Sequence, residues 1–167
     1  MLSLTLQTTA SDTILFIGGG AVAERRLALC LEDPCQCIVI SPVITEQMQA
    51  WHEDDRFVWY NTIFTDEYIE MVKRCKLLFI CTDNTAVNDY VEAIARKYGI
   101  WLNRADDATS CDFTVPSTID IGDLHIAISA NNGGPRINRL VKRDMMNRYS
   151  ELQIAIPRLK IMREEVK

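Results

Sequence analysis

Gly18, Gly20 and Ala23 stand in the spacing G-x-G-x-x-A, directly after the apolar run Ile14–Ile17 and ahead of a stretch with helical periodicity. The first glycine of such a spacing permits a tight turn, the second lets an anion approach the main chain, and the small third residue lets helix and strand pack closely. Free N–H groups and the positive end of the helix dipole then point at the anion. The chemistry this predicts is a backbone grip on a dinucleotide pyrophosphate, with Gly18, Gly19, Gly20, Ala21 and Val22 as the gripping residues. Glycine turns after strands also serve purely structural ends, so the rest of the chain has to carry the distinction.

In an open α/β sheet, ligands bind beyond the carboxyl ends of the strands. Three further strand ends carry suitable residues: Ser41–Ile44, the run Cys81-Thr82-Asp83-Asn84, and Asn103 through Asp107. Ser41 can hydrogen-bond an adenosine ribose while Pro42 and Val43 lie against adenine, and Ile44, Thr82 and Asp83 complete the expected cofactor contacts. Read as a bare turn, Ser41-Pro42 needs no ligand. No arginine follows the second strand to pair with a 2′-phosphate, which favours NAD over NADP. Asp106 and Asp107 follow the last parallel strand, where a carboxylate can meet a redox ring and abstract a proton from a substrate. The same pair could instead open a loop or cap a short helix. Arg136, Arg139 and Arg143, spaced i, i+3, i+7 with Lys142 beside them, put positive charge on one helix face, which suits either a polycarboxylate or plain solvent. His125 falls in an alternating strand and reads as a packed or surface histidine; His52, in a polar stretch, reads as exposed.

Positioning these residues takes an alternation of elements. Strands are expected at Thr13–Ile17, Cys37–Ile40, Phe57–Tyr60, Leu77–Cys81 and Ile100–Asn103. Helices fall between them: one with Ala23, Leu27, Cys30 and Leu31 on its apolar stripe and stopped by Asp33-Pro34, one around Glu46–Glu53, one opened by Thr65 as N-cap, and one through Val87–Tyr98 ended by Gly99. This is an α/β chain with a Rossmann-type parallel sheet over residues 1–113. Strand-like Phe113–Val115, Ile119–Ile121 and Leu124–Ser129 then indicate a small antiparallel segment and a basic helix over residues 114–149, with a short helical region at 150–167 beyond. At 167 residues, 48% apolar and 25% charged, the chain has the composition of an ordinary globular protein. No apolar run reaches the roughly 18 residues of a membrane span, and the start Met1-Leu-Ser-Leu-Thr5 has no basic region, so a cytoplasmic protein is expected. A net charge of −5 argues against a nucleic-acid surface. The six cysteines read as buried free thiols, and Cys35-Gln-Cys37 is too closely spaced for a metal knuckle, so no metal site is expected.

Four motifs in order resemble a known family, the precorrin-2 dehydrogenases of siroheme synthesis, including the N-terminal portion of multifunctional siroheme synthases. They are Gly18-Gly-Gly-Ala-Val-Ala-Glu-Arg-Arg26; Cys81-Thr-Asp-Asn-Thr-Ala-Val-Asn88; the run from Asn103 to Pro116; and Leu124-His-Ile-Ala-Ile-Ser129 with Pro135-Arg136. The resemblance implies NAD-dependent oxidation of precorrin-2 to sirohydrochlorin, with the register selecting Asp106 as general base. It also implies Asn103, Ser129, Asn131, Arg136 and Arg139 against the carboxylate-rich tetrapyrrole, and a homodimer that exchanges or packs the antiparallel segment. Some relatives insert iron, so a sirohydrochlorin ferrochelatase using the same cleft is one alternative; a non-catalytic NAD-sensing module is another. The chain departs from the family at Ala130-Asn-Asn-Gly-Gly134, where a serine usually leads to the proline, at Asp107-Ala108 in place of Asp-Pro, and in a shorter last helical region broken by Pro157. These departures bear on substrate closure and chelation rather than on cofactor binding.

Overall fold

Strands buried on both faces and helices with one apolar stripe can be satisfied together only by a covered parallel sheet. The structure, a computed structural model, describes residues 5–121, 124–130 and 134–148. It divides into two compact units, the first being Leu4–Thr114 and the second beginning at Val115. The region expected to be helical at 150–167 lies outside the described residues, as does Asn131.

The first unit runs β1 (Thr13–Ile17), α1 (Ala21–Cys30), β2 (Gln36–Ile40), α2 (Glu46–Glu53), β3 (Val58–Tyr60), a 3-10 turn at Asp66–Tyr68, α3 (Ile69–Arg74), β4 (Leu77–Ile80), α4 (Thr85–Tyr98) and β5 (Trp101–Arg104). Every strand pair in it is parallel, in the order β3-β2-β1-β4-β5. The chain winds outward to β3 and then returns to place β4 beside β1, so the winding reverses between those two strands. Side chains alternate across the sheet. Leu15, Ile17, Ile38, Ile40, Leu78, Ile80 and Leu102 face Val72 of α3 and Val91, Ile94 and Ala95 of α4. On the other face Ile14, Phe16, Val39 and Phe79 meet Leu27 of α1 and Met48 of α2, with the Phe16 and Phe79 rings stacked at 4.9 Å. Leu15 is fully buried, and its truncation to alanine should cost about 2–5 kcal/mol.

Local chemistry sets the helix ends. Thr45 and Asn84 accept from the Met48 and Val87 amides at 3.2 Å and cap α2 and α4, and Gly99 takes the left-handed φ of 69° that closes α4. Four sequence expectations need correction. Thr65 precedes the 3-10 turn without a capping bond, its hydroxyl buried and unpartnered, because the chain tightens to a 3-10 turn before α3 starts. Helix α1 stops at Cys30, ahead of Asp33-Pro34. Residues 113–115 form no strand, because the segment flanks β5 through side-chain bonds: Asp112 Oδ2 accepts from the Leu102 amide at 2.9 Å, and Asn103 Nδ2 donates to the Phe113 carbonyl at 2.7 Å. His52 is half-buried, not exposed, with its ring 5.7 Å from Phe57 and 5.6 Å from Trp59.

The second unit holds an antiparallel hairpin of β6 (Ser117–Ile121) and β7 (Leu124–Ile128), followed by α5 (Gly134–Arg148). Among the described residues no helix is long and apolar enough to cross a membrane, and all six cysteines are unpaired.

Candidate active site

The loop after β1 is glycine for three separate reasons. Gly18 has φ +108°, and a Cβ there would meet the Cys81 carbonyl carbon and oxygen at 2.7 Å, so the turns after β1 and β4 cross in contact. At Gly19 a Cβ would come within 2.3 Å of the Val43 carbonyl oxygen and 2.9 Å of Ser41 Oγ, because the loop after β2 folds over it. A Cβ at Gly20 would meet nothing within 4 Å; it would project into open space. Gly20 is also the N-cap of α1 and offers no side-chain acceptor, unlike the caps of α2 and α4. The first-turn amides of α1 therefore keep their donors for an anion. A dinucleotide pyrophosphate fits this cradle.

The cradle opens into a cleft of about 550 Å³ at the carboxyl ends of β1, β2 and β4, where the winding reverses. Of the residues expected to hold a cofactor, Gly18, Gly19, Gly20, Ser41, Pro42, Val43, Ile44, Thr82 and Asp83 border it, whereas Ala21 and Val22 do not. Ser41 is buried, its hydroxyl donating to the Val43 carbonyl at 2.7 Å while Trp59 Nε1 donates to the Ser41 carbonyl at 2.8 Å. Its first role is thus to shape the loop. Val43 and Ile63 stay 71% and 65% exposed at the cleft, large apolar surfaces left in water where a planar base could cover them. Sequence reading missed Ile63 and Phe64; applying the strand-end rule to β3 would have pointed to them.

One side chain removed from the cleft wall sits Asp106. Asn88 of α4, fully buried, donates through Nδ2 to the Thr82 carbonyl at 3.1 Å and to Asp106 Oδ2 at 3.0 Å, and its Oδ1 accepts from the Thr82 hydroxyl. The Asp106 carboxylate is gripped from its other side by Arg104, Nε to Oδ1 at 2.8 Å and Nη2 to Oδ2 at 3.0 Å. Arg104, 7% exposed, also reaches Asp89 and Glu92 through Nη1 at 2.6 and 2.9 Å. The guanidinium holds Asp106 far below the usual carboxylate range, and burial opposes this only in part. Neither Arg104 nor Asn88 was singled out from sequence. Asp107 does what a loop-opening aspartate does: it caps the 3-10 turn Ala108–Ser110, accepting from the Thr109 amide at 2.8 Å and the Ser110 hydroxyl at 2.9 Å. Asn103 is buried, with Nδ2 satisfied and Oδ1 without a partner, an acceptor waiting for a donor.

In the second unit Arg136, Arg139, Lys142 and Arg143 line one open depression of about 860 Å³ along α5. Ser129 follows β7 and is exposed. His125 pairs with Asp120 across the hairpin, on its exposed side.

Residues 6–117 match the NAD(P)-binding family NAD_binding_7. A siroheme synthase of Nitrosococcus oceani is 32% identical over 128 residues, covering 77% of this chain and 27% of that protein. A siroheme synthase of Xylella fastidiosa is 30% identical over 132 residues, 79% of this chain and 27% of that one. The chain thus spans about a quarter of the length of the curated relatives it matches. Its fold is shared with a solved structure titled SirC, precorrin-2 dehydrogenase, at TM-score 0.73 and 21% identity, covering 89% of this chain and 71% of that one. The resemblance to siroheme synthases read from the four motifs therefore extends over most of this sequence. With the glycine cradle, the reversed winding and the match over residues 6–117, the chain belongs to an NAD(P)-binding family, NAD_binding_7.

Proposed function

We propose that the chain is an NAD-dependent dehydrogenase that oxidises precorrin-2 to sirohydrochlorin in siroheme biosynthesis. One observation carries the reading: a carboxylate, Asp106, is tied through Asn88 to Thr82 on the rim of the dinucleotide cleft, in a chain most of which is similar to siroheme synthases. Dehydrogenation removes a hydride and a proton from the tetrapyrrole, and a bound nicotinamide supplies the hydride acceptor. Gly18–Gly20 and the first turn of α1 would hold its pyrophosphate, and the Ser41–Ile44 loop its adenosine. NAD is favoured over NADP because, among the described residues, no arginine or lysine borders the cleft to meet a 2′-phosphate. Arg136, Arg139 and Arg143 would bind substrate carboxylates. A homodimer through the second unit is supported by exposed Leu124, Ile137, Leu140, Val141 and Met146. Unpaired thiols fit a cytoplasmic setting.

The test supplies precorrin-2 with NAD and follows sirohydrochlorin absorbance. Product should form with NAD, much more slowly with NADP, and not at all in Asp106→Asn, which should still bind NAD. Iron insertion into sirohydrochlorin without NAD, and no oxidation with it, would make the chain a ferrochelatase instead. NAD binding with no tetrapyrrole binding would make it a sensor.

A further inference from the structure

The Asp106 carboxylate has about four acceptor positions on its two oxygens. Oδ2 is filled by Asn88 Nδ2 and Arg104 Nη2, Oδ1 takes Arg104 Nε, and the backbone amide of Asp106 itself adds a further bond to the carboxylate. The groups facing it come from each neighbouring element: Asn88, Asp89 and Glu92 from α4, Arg104 from the end of β5, and Asp107 from the turn beyond. Asp107 is committed to Thr109 and Ser110, so the one cation in the group is a buried guanidinium held in place from α4 by two further carboxylates.

We infer that Arg104 is a positioning residue that fixes Asp106 as a braced anion beside the Thr82 rim, so that Asp106 stabilises charge in the substrate instead of collecting its proton. This rests on the dehydrogenase reading above. As the hydride leaves the tetrapyrrole for the nicotinamide ring, positive charge grows on the substrate, and a preorganised anion lowers the energy of that charge. The braced anion acts through its charge, and the proton released in the oxidation passes to water. For Asp106 to keep that proton it would have to give up a charge-assisted bidentate pair with a guanidinium that is 7% exposed. Asn88 supplies the third bond and ties the carboxylate to the loop that borders the cofactor.

The experiment has one arm without substrate or cofactor. Carboxyl ¹³C NMR of the intact chain, with Asp106 assigned by loss of its signal in Asp106→Asn, should show no titration of Asp106 between pH 7 and the onset of acid unfolding. In Arg104→Met its midpoint should rise by about 1–3 pH units. Arg104→Lys keeps the charge without the fork and should lie between; it serves if the methionine variant does not fold. The second arm is the pH profile of precorrin-2 oxidation. The native profile should be flat toward acid, with a limb appearing only in the Arg104 variants. A native Asp106 midpoint in the ordinary range near 4, or a native acid limb that Arg104→Lys leaves in place, would overturn the inference. No turnover by the native chain at any pH, with the midpoint still depressed, would instead overturn the dehydrogenase reading while the clamp itself stood.

Discussion

At the scale of single residues, the three consecutive glycines are under different constraints, and substitution separates them. Gly20→Val adds a side chain that meets no protein atom, so folding should lose no more than the roughly 1 kcal/mol that a poorer N-cap costs, while NAD affinity falls at least about tenfold, roughly 1.4 kcal/mol. Calorimetric titration beside a thermal melt reads both. Gly18→Ala should do the reverse in order of events: a φ of +108° and a 2.7 Å approach to the Cys81 carbonyl cost about 1–3 kcal/mol or more in folding before any ligand is considered, which urea titration would show. An unstable Gly20→Val with unaltered NAD affinity would contradict the assignment of the cradle. The spacing of Gly18, Gly20 and Ala23 made this loop legible in the sequence, because each position is dictated by backbone geometry that few other residues satisfy. Asp106 was legible as one of two aspartates after the last parallel strand, and its register with the family motif chose it over Asp107. Arg104 was not, since nothing in a linear sequence tells that three carboxylates, two from α4 and one from the turn after β5, converge on one guanidinium.

Elements differ in how they finish their exposed ends, and the proposed cofactor grip depends on that difference. Helices α2 and α4 spend Thr45 and Asn84 on their own first-turn amides, whereas α1 starts at a glycine with no side chain to accept them. Gly20→Ser should therefore add a few tenths of a kcal/mol of stability by capping α1 and at the same time weaken NAD binding, since the hydroxyl takes a donor the pyrophosphate would use. A gain in both would show that α1 does not bind the anion. Thr45→Ala, by contrast, should cost about 1 kcal/mol through α2 alone. Strand and helix identities in the first unit followed from continuous apolar runs such as Ile14–Ile17 and the helical stripe through Val87, Val91 and Ile94, which arise because both faces of the sheet are covered. Boundaries followed less well. Thr65 looked like a cap but precedes a 3-10 turn, and Phe113–Val115 looked like a strand although its neighbours bond β5 through side chains, which no periodicity records.

The whole molecule responds to acid through its ion pairs. Asp106 is lowered chiefly by Arg104, Asp107 by the Thr109 and Ser110 hydroxyls and amide, and Asp12 chiefly by Lys76. A carboxylate lowered in the folded state contributes stability that is present above its unfolded value near 4 and is lost as the pH falls through its folded value. Stability should thus be level from neutrality to about pH 4 and fall steeply below it. Replacing Arg104 by methionine should flatten that fall, as read by urea titrations at stepped pH; an unchanged slope would assign acid sensitivity elsewhere. Burial raises the Cys75 thiol to about 12, and Cys75 is buried, so it should react with a thiol reagent at pH 8 only once the chain unfolds. The bonds along β5 reach further than the candidate site. By lending its side-chain oxygen to the Leu102 amide and its own amide to the Leu102 carbonyl, at 2.9 Å each, Asp112, with Cys111 Sγ on the Arg104 amide and carbonyl, ends the sheet's lateral growth where another strand could have docked. Asp112→Ala would reopen that margin to strands of other molecules, and the outcome to watch for is fibril or aggregate formation at protein concentrations the native chain tolerates.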